Sequence, residues 1–70
     1  MRDVEIRDDM IRLGQLLKLA GVADDGTHAK DLLDDGAVAV NGKPEDRRGR
    51  QIFIGDHVTV GPDEIRVTAG

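Results

Sequence analysis

The sequence of 70 residues contains no cysteine, serine, tryptophan or tyrosine. Without cysteine, neither a disulfide framework nor a thiolate zinc site can stabilise the fold, and a reducing, cytoplasmic setting is expected. The two histidines, His28 and His57, are too few and too far apart in sequence to replace such a site. We expect both histidines to be ordinary surface residues.

The shortage of nucleophiles also argues against an enzyme. The only side-chain hydroxyls belong to Thr27, Thr59 and Thr68, so no catalytic triad is expected. The glycines do not fall at the spacing of a phosphate-binding loop or a dinucleotide fingerprint. The acidic pairs Asp24-Asp25 and Asp34-Asp35 could hold a magnesium ion, but adjacent acids beside a short helix are typical of solvated surface. We therefore expect a noncatalytic protein with no cofactor and no metal.

Long apolar runs are absent as well. No run approaches the ~20 residues that span a bilayer, and residues 1–10 lack the apolar core of a signal peptide. A chain of this length predicts one domain over residues 1–70, with a small core that buries only ~60% of the surface of the unfolded chain. We expect a soluble monomer that is neither exported nor bound to a membrane.

The spacing of the leucines predicts two short helices. The first extends from near Arg12 to Gly21, and the second covers about nine residues between an N-cap at Thr27 and a terminating glycine at Gly36. The apolar faces are formed by Leu13, Leu16, Leu17 and Ala20 in the first helix, and by Ala29, Leu32 and Leu33 in the second. The second helix is too short to be stable alone in water, so it is expected to dock against the first.

Apolar residues that alternate with polar ones predict strands on both sides of the helices. The pairs expected to face the core are Val4 and Ile6, Val38 and Val40, Ile52 and Ile54, Val58 and Val60, and Ile65 and Val67. Asn41-Gly42 is the strongest turn signal in the chain. The first strand should pair with the last, since each otherwise lacks a neighbour. The predicted fold class is α+β, with two short helices packed on a small, mostly antiparallel sheet of four to five strands.

The formal net charge is −4, but the cations are segregated along the chain. Residues 37–53 carry four cations and two acids, whereas residues 21–36 carry one cation and five acids. Pro44 cannot occupy a central strand, so residues 43–49 are expected to form an exposed edge or loop. A surface for anions could include Arg12, Lys18, Lys30, Lys43, Arg47, Arg48 and Arg50. Arginine suits bidentate contact with phosphate, which favours a nucleic acid.

Composition alone leaves a second interpretation open. Glu45 and Asp46 could neutralise the neighbouring arginines, so that residues 43–50 form only a solvated loop. The acidic surface of the second helix would then dock a basic partner, for example a ribosomal protein.

The single aromatic residue, Phe53, limits which nucleic acid is expected. A row of aromatic rings is the usual platform for single-stranded bases, so duplex or folded RNA recognised by shape and backbone is the expected target. Reading the bases of B-form DNA requires a helix with base-reading side chains, and neither predicted helix is rich in them.

Residues 11–60 resemble the RNA-binding domain named after small-subunit ribosomal protein S-four, also called the alpha-L motif. The resemblance depends on the order and spacing of Arg12-Leu13, Leu16-Leu17, Thr27, Ala29-Lys30, Leu32-Leu33, Gly36, Val38, Val40 to Lys43, Gly55-Asp56 and Val58. The runs LGQLLK and DRRGR are most similar to small stand-alone bacterial members. The resemblance implies the S-four-like fold, to which residues 1–10 and 61–70 would add edge strands.

In that family the two helices and the turn that follows form the RNA face. By matching position, the resemblance implies RNA contacts at Arg12, Lys18, Thr27, Lys30, Asn41 and Lys43, and the face extends to Arg47, Arg48 and Arg50 in the stand-alone subgroup. It implies ribosomal or transfer RNA, or the ribosome, as the partner. The chain has Gly14 where an acid is common and Gly26 where an arginine is common. These departures predict weak or selective binding rather than tight general affinity.

Overall fold

A computed structural model describes residues 2–70. The elements in chain order are β1 (Arg2–Ile6), β2 (Met10–Arg12), α1 (Leu13–Leu19), α2 (Gly26–Asp34), β3 (Val38–Val40), β4 (Lys43–Pro44), β5 (Gln51–Phe53), β6 (His57–Val60) and β7 (Asp63–Ala69). The fold is α+β, as the sequence predicted. Two helices pack against a mostly antiparallel sheet, and a second, smaller sheet lies beside it.

The main sheet has five strands in the order β1-β7-β6-β3-β4. The predicted pairing of the first and last strands is confirmed, and it is parallel, with Val4 opposite Val67. Because β7 also pairs with β6, it is an inner strand, and the expectation that residues 61–70 form an edge strand is wrong. The Asn41-Gly42 turn is confirmed, with φ of 51° and 84°, and it connects β3 to the short edge strand β4.

The smaller sheet pairs β2 with β5 in antiparallel register and was not expected from the sequence. Its β5 strand places Ile52 wholly in the core, as predicted, but Ile54 is 45% exposed, so the expectation that Ile54 faces the core is wrong. The physical reason is that β5 ends at Phe53. The amide of Asp56 donates to the Phe53 carbonyl at 3.0 Å, and this turn carries Ile54 away from the core.

The helix ends are set by local geometry. Helix α1 stops before Gly21 (φ 79°) and α2 before Gly36 (φ 74°), as predicted. The predicted N-cap of α2 at Thr27 is wrong. The Asp25 carboxylate instead accepts the amide of His28 at 2.8 Å, and the Nδ1 atom of His28 accepts the amide of Asp24 at 3.0 Å. This reciprocal arrangement starts the helix two residues earlier than expected.

One apolar core contains residues of both helices and of both sheets. It is formed by Val4, Ile6, Leu13, Leu16, Leu17, Ala20, Ala23, Ala29, Leu33, Val38, Val40, Ile52, Val58, Val60, Ile65 and Val67. The leucine faces of both helices therefore lie against the inward residues of the sheets, as their spacing predicted. Within residues 2–70, neither helix has the length and apolar character needed to cross a membrane.

The corrected N-cap gives a direct stability test. Asp25→Ala removes the acceptor for the His28 amide and is expected to lower the free energy of unfolding by about 1 kcal/mol. Thr27→Ala is the matched control, because Thr27 is exposed within the first turn, and it should change stability by less than about 0.5 kcal/mol. Urea denaturation measures both values. A larger loss of stability for Thr27→Ala than for Asp25→Ala would show that Thr27 is the N-cap.

Candidate nucleic-acid interface

Residues 45–50, which we call the arginine loop, cap the start of helix α1. No side chain caps this helix. The amide of Leu13 instead donates to the Arg50 carbonyl, and the amide of Gly14 donates to the Arg48 carbonyl, both at 2.9 Å. The Nη1 atom of Arg12 donates to the Gly49 carbonyl, also at 2.9 Å. The two backbone bonds satisfy amides that every helix start leaves free. Together with the Arg12 bond they hold the arginine loop against the helix.

The arginine loop is organised around the carboxylate of Glu45, a buried charged residue with 8% exposure. One carboxylate oxygen, Oε2, accepts the amides of Asp46 and Arg47 at 3.0 and 3.1 Å. The guanidinium of Arg47 contacts both oxygens, at 3.2 and 3.3 Å, and Nη1 of Arg50 donates to Oε1 at 2.8 Å. A buried carboxylate with this many donors is fully compensated, so it orders the loop instead of destabilising it.

The same contacts shift the ionisation of both partners. The guanidinium of Arg47, then that of Arg50, and then the Arg47 amide lower the pKa of Glu45 from 4.5 to about 2. The Glu45 carboxylate in turn raises the pKa of Arg47. Glu45 is therefore an anion at every pH above about 2, and it offsets part of the charge of Arg47 and Arg50.

A shallow concavity of about 380 Å³ lies where helix α1 meets the arginine loop. Its charged lining is Arg12, Lys18 and Arg48. Within residues 2–70, neither Lys18 nor Arg48 forms an ion pair, and both side chains are exposed. Three cations around one concavity, none of them paired with a carboxylate within residues 2–70, suit an anion of phosphate size or larger. We call this set the basic concavity.

The glycine at position 14 makes this arrangement possible. A Cβ atom on residue 14 would lie 2.4 Å from Cγ of Arg48, closer than such atoms approach one another, and 3.2 Å from Cδ, which is a tight contact. Gly14 thus has a structural role, because Arg48 crosses the helix start over it.

Gly14→Ala tests this packing. Alanine favours a helix by about 1 kcal/mol relative to glycine, but its Cβ atom forces Arg48 to move away from the helix start. Because the gain offsets the cost of that movement, the stability of the protein should change little. RNA affinity is expected to fall at least about tenfold, by loss of one charge-assisted contact, without a matching fall in the melting temperature. Arg48→Ala is the matched comparison, since Gly14→Ala should cause no further loss of affinity once the Arg48 side chain is absent. Wild-type affinity for Gly14→Ala, or a further loss in the double variant, would contradict the role of Gly14.

The second helix faces the same concavity. Gly26 lines it, and Lys30, one helical turn later, lies on the same side of α2 and is exposed. Thr27 is exposed beside Gly26 in the first turn. Along α1, Gln15 lines the concavity one turn before Lys18.

Asn41 and Lys43 lie farther along the molecule, at the turn between β3 and β4, and neither lines the basic concavity. The side chain of Asn41 is used within the fold. Its Oδ1 accepts the His57 amide at 2.9 Å, and its Nδ2 donates to Asp56 at 3.2 Å. Lys43 is exposed on the edge strand and has no ion pair within the described part of the chain.

A second groove, of about 670 Å³, continues from the basic concavity and shares Gly49 with it. It contains the two arginines held by Glu45. Its lining is Arg47, Gly49, Arg50, Gln51, Phe53 and Asp56. We call it the Phe53 groove.

The sequence identified the arginines of this groove, but it did not reveal Glu45 as the residue that organises the arginine loop. The five N–H donors converging on that carboxylate come from residues within five positions of it, a local clustering that the sequence does display.

Two other cations have structural partners. Arg2 donates to the Ala20 carbonyl at the end of α1, and Arg66 donates to Asp3 at 3.3 Å. Within residues 2–70, no group of three or more histidine, cysteine, aspartate or glutamate side chains is arranged to hold a metal ion.

Comparison with known proteins agrees with this architecture. The family described as the S4 domain matches residues 4–68. The chain is also 46% identical, over 57 residues, to a protein of Bacillus subtilis (strain 168) named "Probable ribosome maturation protein RlbA", and the match covers 81% of this chain and 80% of that protein. The family match extends beyond residues 11–60 to include part of β1 and most of β7. The chain belongs to the S4 domain family.

Proposed function

We propose that this chain is a noncatalytic protein that binds structured RNA through one face. That face consists of the basic concavity, the exposed side of the first turns of α2, and the arginine loop. The observation that carries the proposal is the bonding of the arginine loop to the start of α1, which places Arg12, Lys18 and Arg48 around one concavity. Membership of the S4 domain family supports the proposal.

Ribosomal RNA is the partner we propose. The relative from Bacillus subtilis is named a ribosome maturation protein, which supports a partner on the ribosome or on its precursors. Four cations of the proposed face have no carboxylate partner within residues 2–70 and could meet phosphates, namely Arg12, Lys18, Lys30 and Arg48. One exposed aromatic ring is too few to hold a run of single-stranded bases, so the main target is a folded RNA.

The experiment is crosslinking in cells, followed by sequencing of the attached RNA. The proposal expects the wild-type protein to enrich defined segments of ribosomal RNA. The variant Lys18→Glu with Arg48→Glu should lose that enrichment at equal protein abundance. Enrichment of transfer RNA instead would support RNA binding but would identify transfer RNA, not ribosomal RNA, as the partner.

The competing interpretation is a module that docks a basic protein on the acidic side of α2. It receives support from the exposure of Asp31, Asp34 and Asp35. It would replace the RNA proposal if the charge-reversal variant kept its RNA and if Asp31→Lys with Asp34→Lys lost a ribosomal protein instead.

A further inference from the structure

The only aromatic side chain of the protein is left half in solvent. Phe53 is 48% exposed, while its neighbour Ile52 is wholly buried. The backbone at this point is held firmly, because the amide of Phe53 donates to Oδ2 of Asp56 at 2.8 Å and the strand pairs with β2. Phe53 thus presents a fixed ring that the core does not use.

The strand register places Phe53 on the same face of the small sheet as Arg12, one of the cations of the basic concavity. In the small sheet Met10 is opposite Phe53, and Arg12 is opposite Gln51. Residues opposite one another lie on the same face of a sheet, and alternate residues of one strand share a face. The four side chains therefore lie on the outer face, opposite the face that carries Ile52. Arg12 and Phe53 are diagonal neighbours on that face, within reach of long side chains.

The groove around the ring has the chemistry of a nucleotide site. Arg47 and Arg50 are fixed by Glu45 and keep further N–H donors for phosphate, and Gln51 offers an amide for the edge of a base. The one acid in the lining is Asp56, whose carboxylate already accepts from Phe53 and Asn41. Gly49 lines both sites, so the basic concavity and the Phe53 groove are adjacent along the arginine loop.

We propose that one unpaired nucleobase of the bound RNA stacks on Phe53. The flanking phosphates lie in the basic concavity and against the arginine loop. Bases within a continuous A-form helix are already stacked on their neighbours, so the base must come from a bulge, a loop or a junction. The inference rests on the proposed function and deepens it, since it names the feature of the RNA that the face selects. It also adds one stacked base to a face for which the sequence, with its single aromatic residue, predicted recognition by shape and backbone.

The test uses two hairpin RNAs with the same helix and with a non-nucleotide linker in place of the loop, one continuous and one with a single bulged 2-aminopurine nucleotide. At low salt the wild type should bind the bulged hairpin more tightly and quench the fluorescence of its 2-aminopurine. Phe53→Leu keeps an apolar residue in β5 and should weaken binding of the bulged hairpin by roughly 5- to 150-fold, the range expected for one stacked base. It should leave binding of the continuous hairpin unchanged.

Two controls accompany that variant. Phe53→Trp supplies another ring and should restore both affinity and quenching. Ile54→Ala changes the exposed apolar residue next to Phe53 and should behave as wild type.

Three results would overturn the inference. Equal binding and quenching by Phe53→Leu and wild type would show that no base stacks on Phe53, and the proposed function would be unaffected. An equal loss on both hairpins would show that Phe53 only supports the backbone-binding face. Failure of the wild type to bind either hairpin would reject the proposed function itself, and the inference with it.

Discussion

Replacing Lys18 and Arg48 together by glutamate is expected to reduce RNA affinity by about 100-fold or more. Each side chain can donate a charge-assisted hydrogen bond to phosphate worth about 1.5–3 kcal/mol, and a tenfold change in affinity corresponds to about 1.4 kcal/mol. Both side chains line the basic concavity and neither is paired with an acid within residues 2–70. The loss should therefore appear in binding, with little change in melting temperature. Fluorescence anisotropy with ribosomal RNA measures it.

The matched control reverses two cations outside this face, Arg7 and Arg66. It lowers the formal net charge by the same amount and breaks only the exposed Arg66–Asp3 pair, which is worth about 0–1 kcal/mol. If affinity depends on the local field of the concavity, the control keeps most of its RNA binding. Equal losses in the two double variants would mean that total charge, and no particular surface, governs binding.

Replacing Glu45 by glutamine is expected to loosen the arginine loop and the start of helix α1 together. The neutral amide cannot hold two guanidinium groups and two backbone amides as the carboxylate does. Because the loop carbonyls cap α1, the amides of Leu13 and Gly14 should exchange with solvent at least several-fold faster, and the melting temperature should fall. Hydrogen exchange measured by NMR tests both regions in one experiment.

Asp46→Asn is the control for Glu45→Gln. It removes the same charge one residue away, from an exposed side chain that accepts no hydrogen bond within the described part of the chain. It should leave the exchange of Leu13 and Gly14 unchanged. If it matched Glu45→Gln, loop order would depend on the net charge of the segment and not on the Glu45 contacts.

The effect of Glu45→Gln should also depend on pH. The pKa of Glu45 is lowered from 4.5 in a free chain to about 2 in the folded protein, so the folded state binds fewer protons. The stabilising contribution of the carboxylate is complete above pH 4.5 and is lost as the pH falls toward 2. The difference in melting temperature between wild type and Glu45→Gln should therefore be constant near neutrality and shrink in that acidic range.

Patterns that act within one element were read correctly from the sequence. The leucine spacing placed Leu13, Leu16 and Leu17 in the core, and the positive φ angles required at Asn41-Gly42 and Gly36 were anticipated from residue type. Each of these features depends on the backbone of a few neighbouring residues, so local chemistry decides it.

The misread features depend on contacts between distant segments or on competition between adjacent ones. Ile54 alternates with Ile52, but the turn closed by Asp56 ends the strand one residue too early for Ile54 to reach the core. Asp25 and Thr27 are both good N-cap residues, and the return bond from His28 to the Asp24 amide favours Asp25. The pairing of β2 with β5 joins residues about 40 positions apart and has no local signal.

The candidate site, too, could be predicted from the sequence only in part. Its cations could be identified from residue type and from resemblance, but their grouping could not. The bonds from Leu13 and Gly14 to the arginine loop bring Arg12, Lys18 and Arg48 together, and they leave Asn41 and Lys43 at a separate turn. A net charge of −4 conceals this grouping, because the acids lie mainly on other segments.

The most direct test of the account is the dependence of RNA affinity on salt. If about four cations of this face meet phosphates, a plot of log affinity against log salt concentration should have a slope on the order of −3 to −4. The variant Lys18→Glu with Arg48→Glu should reduce the magnitude of that slope by about two. A slope near zero for the wild type, or an unchanged slope for the variant, would contradict the claim that this face binds RNA.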